Sequence, residues 1–251
     1  MADLVEKLKE IGFNTLRKHI KIEPEEFYYE CDRLGILVIQ DMVENGEYSF
    51  IKDTVLPTIG INKNDKVDRL NERMNFFINH SKDTIKHLYN HPSIVTYTIF
   101  NEGWGQFNSD EIYDELKSLD NTRLFDSTSG WFKQNKSDFD SIHIYFRNKK
   151  LKPKEKPLLL SECGGYVYST NNEKVKWGYG ICKSKDELTN KMIEMYETMV
   201  VPAIKDGLCG VIYTQLSDVE GEINGLYTFD RNRLKVNGCR LKEELKKLII
   251  K

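Results

Sequence analysis

The sequence lacks most of the short patterns that announce a site. Its five cysteines, Cys31, Cys163, Cys182, Cys209 and Cys239, are scattered and form no CxxC pair. An odd number cannot all pair internally, so free thiols in a reducing compartment are expected. No HExxH or comparable spacing unites the five histidines, which argues against a zinc site. GxSxG, GxxxxGKS and GxGxxG are absent as well, removing the usual serine-hydrolase, P-loop and dinucleotide signals, and no metal or cofactor is expected. Nor is there a long run of one charge: the formal net charge is -2, with acids and bases mixed along the chain. Neither nucleic acid nor an anionic membrane is therefore expected as a partner. No stretch approaches the roughly 18 apolar residues of a membrane span. The start, MADLVEKLKEIGF, is broken by charges and does not read as a signal peptide. A cytoplasmic protein is the expectation.

What is present is an alternation of strand and helix signals. Leu4, Val5, Leu8 and Ile11 share a helical face that Gly12 closes. Phe13 to His19 reads as a strand, Pro24 to Leu34 as a helix capped by Gly35, and Ile36 to Ile39 as a buried strand ending at Gln40 and Asp41. After an irregular stretch, Val67 to Tyr89 has helical spacing. Further strands are predicted at Ile94–Phe100, Arg123–Asp126 leading into Ser127–Trp131, Ser141–Phe146, Pro157–Ser161 and Gly210–Leu216. Helices are predicted over Ser109–Leu119, from the Ser184/Glu187 capping box to about Lys205, and over Leu241–Ile250. Connections into strands are tight, whereas several leading out of them are long. That asymmetry suits a (β/α)8 barrel enlarged on its catalytic face, and 251 residues match the usual size of about 250. The prediction is one barrel domain over 1–251. Seven strands are counted and the chain opens on a helix, so a first barrel strand is expected to be missing.

Two carboxylates stand out against this frame. Glu102 follows the strand Ile94–Phe100, which is apolar on both faces, within HPSIVTYTIFNEGWG, and Glu162 ends the strand Pro157–Ser161. Counting the missing strand, these are the fourth and seventh strand ends, which a closed barrel brings to one mouth. Paired carboxylates are what glycoside hydrolysis needs, one delivering a proton and the other attacking carbon or activating water. The surroundings suit a sugar. Trp104, Trp131, Tyr145 and Trp177 offer aromatic faces near strand ends, and Arg17, His19, Asp41, Asn101, His143 and Gln215 offer hydrogen-bonding groups. Arg17 and Asp41 also suit a structural ion pair, and His19 or His143 a satisfied core histidine. Cys163 is read as a packed thiol.

NTLRKH, FYYECDRLGILVIQDM, HPSIVTYTIFNEGWG and KPLLLSECGG, in that order from about Leu4 to Lys235, resemble the catalytic barrel of family-two glycoside hydrolases. That family comprises beta-galactosidases, beta-glucuronidases and beta-mannosidases. The resemblance implies a retaining mechanism with Glu102 as acid/base, Glu162 as nucleophile and Asn101 at the sugar 2-hydroxyl, while Arg17 and His19 would line the sugar subsite. The glucuronidase branch carries an Asn-x-Lys that grips the substrate carboxylate. The corresponding INGLYTFDRNRLK has no such pair, so a beta-galactoside is expected rather than a uronide. Strand 210–217 has Tyr213 and Gln215 and no tryptophan, which departs from the aromatic platform of some members.

The jelly-roll and immunoglobulin-like domains usual in the family have no counterpart here, which leaves missing N-terminal domains or a homo-oligomer as expected context. A rival reading is a truncated barrel, catalytically inactive, that at most binds carbohydrate.

Overall fold

The computed structural model describes residues 2–43, 46, 49, 51, 55–61, 71–145, 148–170 and 179–248. Trp177, Phe146 and the first residues of the helix expected from Val67 lie outside them. The chain forms two compact units, residues 1–5 with 14–142 and residues 6–13 with 143–251.

The first unit is built on a four-stranded parallel sheet in the order β1 (Thr15–Lys18), β2 (Leu37–Asp41), β3 (Ile94–Asn101) and β4 (Leu124–Ser129). Helices lie between consecutive strands: α2 (Glu25–Leu34), then a short α3 (Leu56–Thr58) and α4 (Asn71–Leu88), then α5 (Ser109–Lys117); α1 (Ala2–Glu10) precedes β1. Parallel pairing demands such crossovers, and both faces of the sheet are then covered. Hence β3 is buried along nearly its whole length. Its Tyr97, Ile99 and Phe100 join Phe27, Tyr28, Val38, Phe77 and Phe125 in one core. Phe77 stacks on Phe100 at 5.0 Å between centroids, and Phe107 meets both edge-on. Each such fully buried ring contributes about 1.5–3 kcal/mol.

Two sequence signals have local structural explanations. The Leu34-Gly35 step ends α2 in a Schellman turn: Gly35 adopts φ +67°, the Ile36 N–H donates to the Cys31 carbonyl at 3.0 Å, and the Gly35 N–H donates to that of Asp32 at 3.4 Å. In the same helix Asp32 receives the Ser93 N–H at 2.8 Å and bonds His91 Nδ1 at 2.7 Å. The guanidinium of Arg123 donates to the carbonyls of Tyr89, His91 and Ile94. The Asp-Arg-Leu-Gly and His-Pro-Ser stretches thus brace the start of β3, the end of the strand remote from Asn101.

The second unit contains the order β5 (Asp140–Ile144), β6 (Leu158–Gly164) and β7 (Leu208–Thr214), with β5 beginning in the first unit. β6 and β7 are parallel, with Cys163 opposite Tyr213. Between them runs α6 (Lys185–Met195), a π turn over Tyr196–Val200 and α7 (Val201–Ile204), where one continuous helix was expected. Ser184 caps α6 by accepting the Glu187 N–H at 3.1 Å, and Glu187 bonds back to the Lys183 N–H, one residue earlier than a capping box would have it. After β7, residues 217–236 fold back on themselves through bridges Ser217–Tyr227, Val219–Glu222 and Tyr227–Leu234, before α8 (Gly238–Leu245). Lys235 is fully buried there, bonded to Asp218 at 2.7 Å and to the Ile223 carbonyl at 2.9 Å. No helix among the described residues is long and apolar enough to cross a membrane.

Candidate functional site

In the first unit the expected site residues gather at the C-terminal ends of β1, β2 and β3. Arg17 grips Asp41 with a two-bond fork, Nε to Oδ1 at 3.0 Å and an Nη to Oδ2 at 2.8 Å. Both side chains are nearly solvent-free, at 3% and 1% exposure. The same guanidinium donates to Asn101 Oδ1 at 2.8 Å, and Asn101 Nδ2 lies 3.2 Å from His19 Nε2. The planar fork suits both acceptors, because an Arg carries five donors in fixed geometry. His19, the exposed member, meets Trp104 edge-on at 6.4 Å.

Glu102 stands on a turn with little freedom. The Trp104 N–H donates to the Asn101 carbonyl at 3.0 Å, and the two central residues have positive φ, Glu102 at +52° and Gly103 at +78°. Such a pair is the mark of a type I′ turn. A left-handed conformation costs a non-glycine residue roughly 1–2 kcal/mol. The Glu102 N–H donates to the Ser129 carbonyl at 2.9 Å, continuing the β3–β4 ladder and holding the conformation. A side chain at Gly103 is excluded, since its Cβ would lie 2.3 Å from the Phe132 ring. Trp131 follows β4, with its N–H returned to the Ser129 carbonyl at 3.2 Å.

In the second unit, Glu162 lies within β6 rather than beyond it; the strand continues through Cys163 to Gly164. Its Oε2 accepts the Tyr145 phenol and stands 3.6 Å from Nδ1 of the buried His143. Tyr145 in turn is stacked face to face on Tyr179, with centroids 4.2 Å apart and planes 14° from parallel. The neighbouring Cys163 thiol is buried and bonded to the Ile212 carbonyl; burial and the Glu162 charge push its pKa up, so it stays a packed thiol. Gln215 belongs to a separate group, donating to Asn224 Oδ1 at 2.7 Å and to Glu222 Oε2 at 3.2 Å.

Sequence reasoning missed Asp126, Tyr179, Glu222 and Asn224. Asp126 sits inside β4, opposite Thr98, which is itself opposite Asp41. Burial raises its carboxyl pKa, and the Ser141 hydroxyl and the charges of Arg17 and Lys133 only partly offset this. A signal was available in LFDSTS, where an acid interrupts a strand that has no charged neighbour within it. Tyr179 and the Glu222/Asn224 pair lie in long connections, for which periodicity offers no guide.

A parallel α/β architecture with polar side chains clustered at strand ends defines the class of protein. The chain matches the model of glycosyl hydrolases family 2, TIM barrel domain, over residues 1–233, and it belongs to that family. Among solved structures it resembles a beta-D-glucuronidase of Dictyoglomus thermophilum, with TM-score 0.70 and 18% identity over 99% of this chain and 47% of that one. A GH2 beta-galacturonidase from Eisenbergiella tayi, bound to galacturonate, gives TM-score 0.69 and 19% identity over 98% of this chain and 47% of that one. A beta-glucuronidase of an uncultured Clostridium gives 0.64 and 19%, over 97% and 46%. The chain thus spans about half the length of the solved structures it matches. No curated protein matches it.

Proposed function

We propose that the chain supplies the catalytic barrel of a glycoside hydrolase that cleaves terminal beta-glycosidic bonds with retention of configuration. Glu162 is the nucleophile: its carboxylate attacks the anomeric carbon as the bond to the leaving oxygen breaks. Glu102 is the acid/base: it first gives its proton to that oxygen, then takes one from the water that releases the sugar from Glu162. The observation that carries the reading is the environment of Glu162. A phenol hydrogen bond to one carboxylate oxygen favours the charged form that a nucleophile needs. Asn101, held by Arg17, is the contact to the 2-hydroxyl, with His19, Asp41, Trp104 and Trp131 on the same unit and His143, Tyr145 and Gln215 on the other completing the substrate contacts.

For the sugar we infer a neutral beta-galactoside. The lysine of the 217–236 segment is buried against Asp218, and the groups gathered at Gln215 are an acid and an amide, Glu222 and Asn224. The solved neighbours are uronidases by name, so the uronides are the competing substrates.

The test is turnover of aryl beta-galactoside, glucuronide and galacturonide by the chain, with Glu162→Gln as control. Galactoside turnover reduced at least about 1000-fold in the variant is the expected outcome. Undiminished turnover would remove Glu162 as nucleophile, preference for a uronide would replace the sugar, and a folded chain without turnover would favour a barrel that only binds carbohydrate.

A further inference from the structure

We propose that Tyr179 is a positioning residue that holds the Tyr145 phenol on Glu162 by stacking against the Tyr145 ring. The inference rests on the nucleophile reading of Glu162 and adds a residue that neither strand position nor motif singles out.

Three observations carry it. The first is the stack itself, with planes 14° from parallel at 4.2 Å, which confines one face of Tyr145, while the buried His143 ring meets Tyr145 at 74°. Rotation of Tyr145 about its side-chain bonds would break the stack and the bond to Glu162 together. The second is that Tyr179 is anchored through its backbone. Its N–H donates to the Gly165 carbonyl at 3.1 Å, and the next residues continue a short ladder, Val167 N–H to the Gly180 carbonyl at 2.8 Å and Cys182 N–H to the Val167 carbonyl at 2.7 Å. The third is Gly165, at φ +67°, where an added Cβ would lie 2.5 Å from the Tyr179 ring and 3.4 Å from that of Tyr145. The two rings occupy space that only a glycine leaves open. Tyr179 remains 36% exposed, so its packing serves Tyr145 more than a core.

The chemistry follows from the phenol's position. A donor fixed on a carboxylate favours its ionised form, and a donor free to swing away does so less. Tyr179 therefore acts through Tyr145 on the fraction of Glu162 ready to attack, without itself touching the reacting atoms.

The experiment compares Tyr179→Ala and Tyr179→Phe in the full chain. Tyr179→Ala is expected to move the acidic limb of the kcat/KM profile up by roughly half a pH unit, which lowers turnover by up to about threefold on that limb and little on the plateau. Tyr179→Phe, which keeps the ring, should stay within about twofold of the parent. A readout independent of turnover is the pH titration of the Glu162 carboxyl by carbon-13 NMR, its signal assigned by loss in Glu162→Gln. The midpoint should rise in the Ala variant and not in Phe. An unmoved midpoint in a folded Ala variant, or a Phe variant that behaves like Ala, overturns the role of the stack. If instead Glu162→Gln keeps full turnover, the nucleophile reading fails, while the titration still decides whether Tyr179 governs that carboxyl. Should Tyr179→Ala fail to fold, Tyr179→Leu restores bulk without a ring, and the same rise is expected there.

Discussion

The two units hold their polar strand ends by different means. In the first, the group at the ends of β1–β3 is charged and nearly dry: a guanidinium forked onto one carboxylate and reaching one amide. In the second, Glu162 is held by a phenol whose ring is stacked on another ring, and its side chain keeps 12% exposure. A buried ion pair is an all-or-none device, because removing one partner strands the other in a medium that cannot solvate it. A ring stack is graded. Loosening it weakens a hydrogen bond but strands no charge, so it can tune a carboxylate without putting the fold at stake.

The largest effect should come from breaking the first device. Arg17→Ala leaves Asp41, 1% exposed, with no guanidinium fork, and should cost about 3–5 kcal/mol in a urea titration. Arg17→Lys restores the charge but not the fork, so it should recover only part of that loss. A cost under about 1 kcal/mol for the Ala variant would mean that water reaches Asp41 and that the network is not the dry cluster described.

A smaller effect separates backbone strain from crowding in the second device. Gly35 and Gly165 share φ +67°, but a Cβ at Gly35 meets nothing within 4 Å, whereas at Gly165 it meets the Tyr179 ring at 2.5 Å. Alanine at either position costs about 1–2 kcal/mol for its left-handed backbone. The excess for Gly165→Ala over Gly35→Ala, expected at roughly 1 kcal/mol or more by thermal unfolding, measures how firmly the Tyr145–Tyr179 pair is held. Equal costs would show that the stack yields without resistance.

These contrasts also mark what the sequence made legible. The strands could be read because most carry a short apolar run, as in Leu37–Ile39, Ile94–Phe100 and Leu158–Leu160, bounded by glycine, proline or a polar turn, and all seven appear in the expected order among the described residues. Boundaries moved where pairing overrode composition: Asp41 ends β2 within the ladder, and β6 runs on through Glu162 to Gly164 because Cys163 and Gly164 pair with Tyr213 and Thr214. Arg17, Asp41 and Asn101 could be picked out as polar residues closing apolar strands. Nothing local to Tyr179 signals its stack on Tyr145, since the two are 34 residues apart in numbering and meet through a connection without periodicity. Conversely, Asp-Arg-Leu-Gly and His-Pro-Ser were the most distinctive stretches, yet their contacts brace the start of β3 and carry no chemistry. A motif can be specific to a family because it builds the scaffold.

The smallest effect concerns a carboxylate that the guanidinium fork does not take. Asp41, Thr98 and Asp126 pair in sequence across β2, β3 and β4, so they lie side by side on one face of the sheet. Arg17 gives its fork to Asp41, and Asp126 is left with two hydroxyls on Oδ1, that of Ser141 at 2.9 Å and that of Ser137 at 3.5 Å. Its buried Oδ2 has no hydrogen-bond partner among the described residues. Burial raises its pKa above the ordinary 3.8, so the folded chain binds that proton more tightly than the unfolded one. The sign follows by linkage: Asp126 costs nothing below the unfolded value, and stability is lost as pH rises from there through the raised folded value. Asparagine cannot ionise and can still accept from Ser141. Asp126→Asn should therefore match the parent near pH 3.5 and exceed it at pH 7 by up to about 1 kcal/mol, read as a Tm difference that grows with pH. A variant less stable than the parent at pH 7 would show that Asp126 is ionised there and shares the charge of Arg17 or Lys133, in which case the fork serves two carboxylates and the network of the first unit is larger than one ion pair.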